Sequence, residues 1–121
     1  MADRVLYLID DDDSVRVATT LLLEVGGYSV ASFASAEEFL KSIDSPEGLL
    51  LTDVRLPGIS GLQLLRELKA RQCPVCAVLM SAHSDAAMQN EARDAGAADL
   101  LLKPVEPTEL LDALKRCVDE I

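Results

Sequence analysis

The chain is short of aromatic residues. It has no tryptophan, and only Tyr7, Tyr28, Phe33 and Phe39 carry large rings. A core without such rings has to be aliphatic, built from Leu, Val, Ile and Ala. Basic residues are scarce too: 11 Lys and Arg face 21 Asp and Glu, for a net charge of -10 and a pI near 4.4. Such a surface repels phosphate backbones, which argues against direct nucleic-acid binding by this chain and favours cations or basic partners. Long apolar runs are missing. Nothing approaches the roughly 18 consecutive apolar residues of a membrane span, and no signal peptide opens the chain. A cytoplasmic location away from the membrane is the expectation.

Histidine and cysteine are also few. His83 is the single histidine, and the cysteines are Cys73, Cys76 and Cys117. A zinc site would want more such ligands close together. Cys73-Pro74-Val75-Cys76 has redox-motif spacing. In that motif the first cysteine sits at a helix N-terminus, which lowers its pKa. Here the pair leads into an apolar strand, so the setting is wrong. The thiols are expected reduced, buried or half-buried.

What is present is a regular alternation. The 121 residues suit one domain, 1–121, with no effector domain attached. Val5–Ile9 reads as a strand. Asp13 or Ser14 can cap a helix to about Val25, with Ala18, Leu21, Leu22 and Val25 at helical spacing. Gly26-Gly27 stops it. Tyr28–Ser32 is a second strand, and Ser35-Ala36-Glu37-Glu38 is a capping box for the next helix. Leu49–Thr52 is a third strand. Ser60-Gly61-Leu62-Gln63 starts a helix that buries Leu62, Leu65 and Leu68. Val75–Met80 is a fourth strand, Asp85–Ala95 a weaker helix and Ala98–Leu102 a fifth strand. Pro107 opens the last helix, with Leu110, Leu111, Leu114 and Val118 as its stripe. Strands that alternate with helices in this way imply an α/β fold, a parallel sheet with helices on both faces.

In such a sheet every strand ends on the same edge, where open α/β sheets bind their ligands. Just past those ends stand Asp10 and Asp11, Asp53, Ser81 and Lys103. Each alone has an ordinary explanation as a cap, a solvated acid or a surface lysine. Together, clustered carboxylates raise one another's pKa unless a cation offsets them. Mg²⁺ does this with oxygen ligands while keeping several waters. A metal, a lysine and a hydroxyl around one carboxylate suit phosphoryl chemistry, with Asp53 as nucleophile.

The segments LIDDDDSVR, LLLTDVRLPGISGLQLL, VLMSAHSD and GAADLLLKP resemble the receiver domain of two-component response regulators, the CheY-like family. SAEEFL with TDVRLPGISG resembles its FixJ-like branch, whose members usually join a DNA-binding domain after the receiver. The resemblance implies a doubly wound five-stranded sheet in the order 2-1-3-4-5. It implies Asp53 as phosphoacceptor, taking a phosphoryl group from a sensor histidine kinase or a small donor. It also implies Mg²⁺ held by Asp10, Asp11, Asp53 and the backbone carbonyl of Arg55. Ser81 matches the switch hydroxyl and Lys103 the lysine that contacts the phosphoryl group. The Lys103-Pro104 bond is expected cis. The family's members often pair through the helix 4–strand 5–helix 5 face, and the resemblance implies that face as the surface for a homodimer. Such a chain catalyses only its own phosphorylation and dephosphorylation and is not an enzyme in the ordinary sense.

Two features depart from the family pattern. Leu100 stands where most receivers have a tyrosine or phenylalanine, and Val105 where phenylalanine is common. The alternative reading is therefore a degenerate receiver that works as a phosphorylation-independent interaction module. Other phosphate chemistries fit less well. Four aspartates after strand one would repel a flavin phosphate. A haloacid-dehalogenase-type phosphatase would place a second acid where Arg55 stands. Arg55 and His83, two residues past Asp53 and Ser81, border the expected path of an attacking water.

Overall fold

A computed structural model of the protein describes residues 4–120. Five strands and five helices alternate along it: β1 (Arg4–Ile9), α1 (Asp13–Val25), β2 (Tyr28–Phe33), α2 (Ala36–Ser42), β3 (Gly48–Asp53), α3 (Gly61–Ala70), β4 (Val75–Ser81), α4 (Ala86–Asp94), β5 (Asp99–Leu102) and α5 (Pro107–Glu120). The strands form one parallel sheet in the order β2-β1-β3-β4-β5, as expected.

Strand alternation sorts the core into two layers. Leu6, Leu8, Leu49, Leu51, Val78, Met80 and Leu101 point to the side covered by α1 and α5. Ile9, Leu50, Ala77 and Leu79 point to the side covered by α2, α3 and α4. Strands β3 and β4 are buried along most of their length, because helices cover both faces. Three of the four aromatics are pooled in one layer, while Tyr28 packs in the other. Phe39 meets Tyr7 and Phe33 edge-on, at centroid distances of 5.2 and 5.5 Å, the arrangement the ring quadrupole favours.

The helix starts follow from local chemistry. Ser35 Oγ accepts from the Glu38 amide, and Ser60 with Gln63 makes a complete capping box. Asp85 caps α4 through the Met88 amide. The cap of α1 is Asp12, whose carboxylate accepts from the Val15 amide. Asp13 and Ser14, the caps expected, therefore lie inside the helix, and Arg16 reaches back to pair with Asp13 at 2.5 Å.

Two further expectations are corrected. The buried face of α1 is centred on Leu23, with Leu22 half-buried, whereas Leu21 is 59% and Val25 88% exposed and Ala18 is exposed as well. Three consecutive leucines, 21–23, fit either of two phases of a helix. The packing of α1 beside α5 over β1 selects the one that points Leu23 inward. The cysteines are also not all reduced. Cys76 of β4 and Cys117 of α5 are joined in a disulfide, and Cys73 is free. The stripe of α5 is as expected at Leu110 and Leu114, with Leu111 and Val118 at its margins and Ala113 and Cys117 also buried.

Candidate functional site

Register brings the strand ends together. Ile9 pairs with Thr52, Asp53 with Met80 and Ser81 with Leu102. Asp10, Asp53, Ser81 and Lys103 therefore fall within a residue or two of one line across the sheet. The backbone fixes this line past the strands themselves. Val54 N–H donates to the Met80 carbonyl and Lys103 N–H to the Ser81 carbonyl, each at 2.8 Å. The Lys103-Pro104 peptide is cis, as the resemblance implied.

Asp53 is 4% exposed, and Lys103 Nζ lies 2.6 Å from its Oδ1. Asp10 is 1% exposed. One of its oxygens accepts from the Asp12 amide at 2.9 Å, and its carbonyl accepts from the Arg16 guanidinium at 2.7 Å. The other oxygen, Oδ2, is buried without a hydrogen-bond partner. Asp10, Asp11 and Asp53 each offer a carboxylate oxygen, and these lie within 4.8 Å of one another. Asp11 is exposed, so it faces this cluster from the solvent side. An orphaned carboxylate oxygen inside a group of three acids is the setting a hard divalent cation stabilises.

Burial pushes the Asp53 carboxyl up from 3.8 to about 6. Lys103 pulls it down, and the negative charge of Asp10 adds to the rise. One ammonium thus does not fully offset the environment of Asp53. A second positive charge at the acid cluster would favour the ionised, nucleophilic form.

A cleft of about 120 Å³ opens over Asp53, lined by Arg55, Met80, Ser81, Ala82, His83 and Lys103. Ser81 is nearly buried, and its Oγ accepts from the His83 amide at 3.1 Å. That leaves the hydroxyl proton free to point at an incoming oxygen. Arg55 and His83 are exposed at the rim. Asp10, Asp11, Asp53, Arg55, Ser81, His83 and Lys103 thus all lie at this edge.

One contributor carries no sequence signal. Glu37 of α2 accepts a hydrogen bond from the Ile59 amide at 3.1 Å, across 22 residues. It holds the loop between β3 and α3, in which Gly58 has φ of 76° and a Cβ would run into the Glu37 carboxylate. Gly61, at the start of α3, donates its N–H to the Val54 carbonyl at 2.8 Å. A Cβ there would run into the Asp53 carbonyl oxygen. Glycine at that point lets α3 approach the end of β3.

The model of the response regulator receiver domain family matches residues 6–115. The chain belongs to this family. The receiver is 41% identical over 111 residues to the transcriptional regulatory protein FixJ of Azorhizobium caulinodans, covering 91% of this chain and 53% of that protein. It is 34% identical over 122 residues to FixJ of Rhizobium meliloti, covering 100% of this chain and 60% of that protein. The receiver thus spans between half and two thirds of the length of these curated relatives. Its fold superposes on the crystal structure of FixJ-N with a TM-score of 0.89 at 34% identity, over 100% of this chain and 98% of that one. In this receiver Leu100 is half-buried and packs against the layer formed by α2, α3 and α4, with no ring in β5 to swing. Among the described residues no helix is long and apolar enough to cross a membrane.

Proposed function

We propose that the receiver is a phosphorylation-controlled switch of a two-component system, with Asp53 as the phosphoacceptor. The observation that carries this is the cluster of Asp10, Asp11 and Asp53 oxygens within 4.8 Å, with Lys103 at 2.6 Å from the buried Asp53. A carboxylate oxygen of Asp53 attacks the donor phosphorus. The P–N bond of a kinase phosphohistidine, or the P–O bond of a small acyl phosphate, breaks as the new bond forms. The donor keeps the bonding electron pair. The product is an acyl phosphate on Asp53.

The residues divide this work. Asp10, Asp11, Asp53 and the Arg55 carbonyl would hold Mg²⁺, which supplies positive charge to the phosphoryl oxygens when bound. Lys103, 2.6 Å from the Asp53 carboxylate, gives an ammonium beside the acceptor. Ser81 donates its hydroxyl proton to one phosphoryl oxygen once the group is in place. Arg55 and His83 at the rim limit how water reaches the acyl phosphate and so set its lifetime. The added charge, about -1.5 to -2 for a protein phosphate, shifts an equilibrium between two arrangements of the α4–β5–α5 face. With Leu100 in place of a ring, the shift runs through Ser81 and its loop.

The domain takes residues 1–121 and works in the cytoplasm with a sensor histidine kinase. The α4–β5–α5 face is its surface for a second copy, and the net charge of -10 keeps it from binding nucleic acid directly. A phosphorylation-independent interaction module is the second reading, favoured by the missing ring at Leu100.

The test is incubation with acetyl phosphate and Mg²⁺, read by intact mass on wild type and Asp53→Ala. One added phosphoryl group is expected on wild type, none on the variant and none without Mg²⁺. A folded wild type that gains nothing from acetyl phosphate, nor from a panel of phosphorylated histidine kinases, would replace the switch with the interaction module.

A further inference from the structure

The disulfide is the feature that the phosphoryl chemistry leaves unused. Its two residues are 41 apart in sequence, with Cα atoms 5.8 Å apart, inside the normal range for the bond. Cys76 is the second residue of β4, at the end of the strand away from Ser81. Four strand residues lie between the two, a rise of about 17 Å over five residue steps. Cys117 is the fourth residue from the end of α5 and is 1% exposed. Both side chains belong to the core layer under α1 and α5, whereas Cys73 packs against the opposite layer. The sheet thus separates Cys73 from the pair, although it is only three residues from Cys76.

We propose that Cys76 and Cys117 are a reversible thiol–disulfide site, oxidised by exchange with a low-molecular-weight disulfide, that fastens α5 to β4. The segment closed by the bond holds the rest of β4, α4, β5 and most of α5. It therefore carries Ser81, Leu100 and Lys103. The fold does not need the bond to exist. Leu110, Ala113 and Leu114 already seat α5 on the sheet, and a thiol packs as a small apolar group. Both redox forms are accordingly folded, and the bond changes how freely α5 can move.

Burial sets the order of attack. Cys76 is half-buried and Cys117 closed off, so the incoming disulfide meets Cys76. The Cys76 thiolate attacks one sulfur of the small disulfide, and one small thiolate leaves. The Cys117 thiolate then attacks the Cys76 sulfur of the mixed disulfide, and the second small thiolate leaves. The two protons from the protein thiols end on the two released thiols. The protein loses two electrons, and the small disulfide gains them.

The bond itself rests on the cysteine geometry alone, and its effect on phosphorylation rests on the function proposed above. Wild-type protein is equilibrated with mixtures of glutathione and glutathione disulfide. Free thiols are then alkylated, and the linkage is mapped by peptide mass. A 76–117 linkage that dithiothreitol reverses is expected, with Cys73 alkylated throughout. No linkage at any ratio, or one through Cys73, overturns the site. Amide hydrogen exchange is compared in the two forms of wild type, so no variant has to fold. Exchange in α5 slows about tenfold on oxidation if the bond holds that helix to the sheet; equal exchange overturns the fastening. Cys117→Ala, treated identically, shows no such difference.

Acetyl phosphate with Mg²⁺ then phosphorylates the oxidised form about fivefold more slowly. Equal rates overturn the link to signalling. Phosphorylation of neither form counts against Asp53 as acceptor and leaves the mapped linkage standing.

Discussion

Asp53→Asn should make the protein more stable, because the native carboxylate sits where its charge is disfavoured. Burial raises the Asp53 carboxyl from 3.8 to about 6 even with Lys103 beside it. Each pH unit of such a change is worth about 1.4 kcal/mol. Keeping Asp53 ionised in the folded state therefore costs about 3 kcal/mol at neutral pH. The sign follows from proton linkage. The folded pKa is raised above the unfolded one, so the native state holds this proton more tightly. The cost is absent below about pH 4, grows as pH rises toward 6, and is constant above that. Asparagine has the same shape and no charge. Lys103 loses its partner, but its side chain is 40% exposed and water can solvate it, which takes back at most about 1 kcal/mol. A net gain of about 2 kcal/mol is expected at pH 7.5 without divalent ions, shrinking toward zero at pH 4. Urea unfolding of the two proteins at both pH values measures it. Equal stability at pH 7.5, or a gain of the same size at pH 4, would refute the argument. Added Mg²⁺ should stabilise wild type more than the variant and narrow the gap.

Other perturbations act on the parts that hold the site in shape. Gly61→Ala forces α3 away from the Asp53 carbonyl, costing about 2 kcal/mol in urea unfolding and up to about a hundredfold in phosphorylation rate. Gly27→Ala, strained at φ of 97° but with open space around its Cβ, should cost stability and leave that rate alone. Glu37→Ala releases the Ile59 amide and weakens Mg²⁺ binding about tenfold in a fluorescence or calorimetric titration, while Glu37→Gln keeps the acceptor and most of the affinity. Reducing the disulfide removes a 41-residue closure, worth up to about 4 kcal/mol on chain entropy, and thermal unfolding with and without dithiothreitol reads it. Arg55→Ala should change the lifetime of the phosphorylated form, followed by intact mass, while urea unfolding changes by less than about 0.5 kcal/mol.

The order of the elements was legible because its signals are local. Ser35 and Ser60 cap their helices with residues three positions on, and such spacing is visible in a one-dimensional string. The same holds for the buried strands and for the placement of Asp53, Ser81 and Lys103 just at or past their ends. Once the strands are parallel, those ends share an edge, so the site's membership followed from topology alone. The four consecutive aspartates were legible as a cluster, but their division of labour depended on which carboxylate the fold buries. That proved to be Asp10, with Asp12 as the helix cap.

What the sequence determined by itself was therefore the alternating elements, the sheet edge and the chemistry gathered there. Periodicity, caps and turns act over a few residues and do not depend on distant partners. Tertiary structure alone decided which leucine of 21–23 turns inward, since helices on the same layer compete for the sheet. It paired Cys76 with a residue 41 positions away and left the neighbour at Cys73 on the other side of the sheet. It brought Glu37 to the Ile59 amide and set the proton affinity of Asp53. Each of these depends on the distance between groups far apart in the chain, and that distance exists only once the layers have packed.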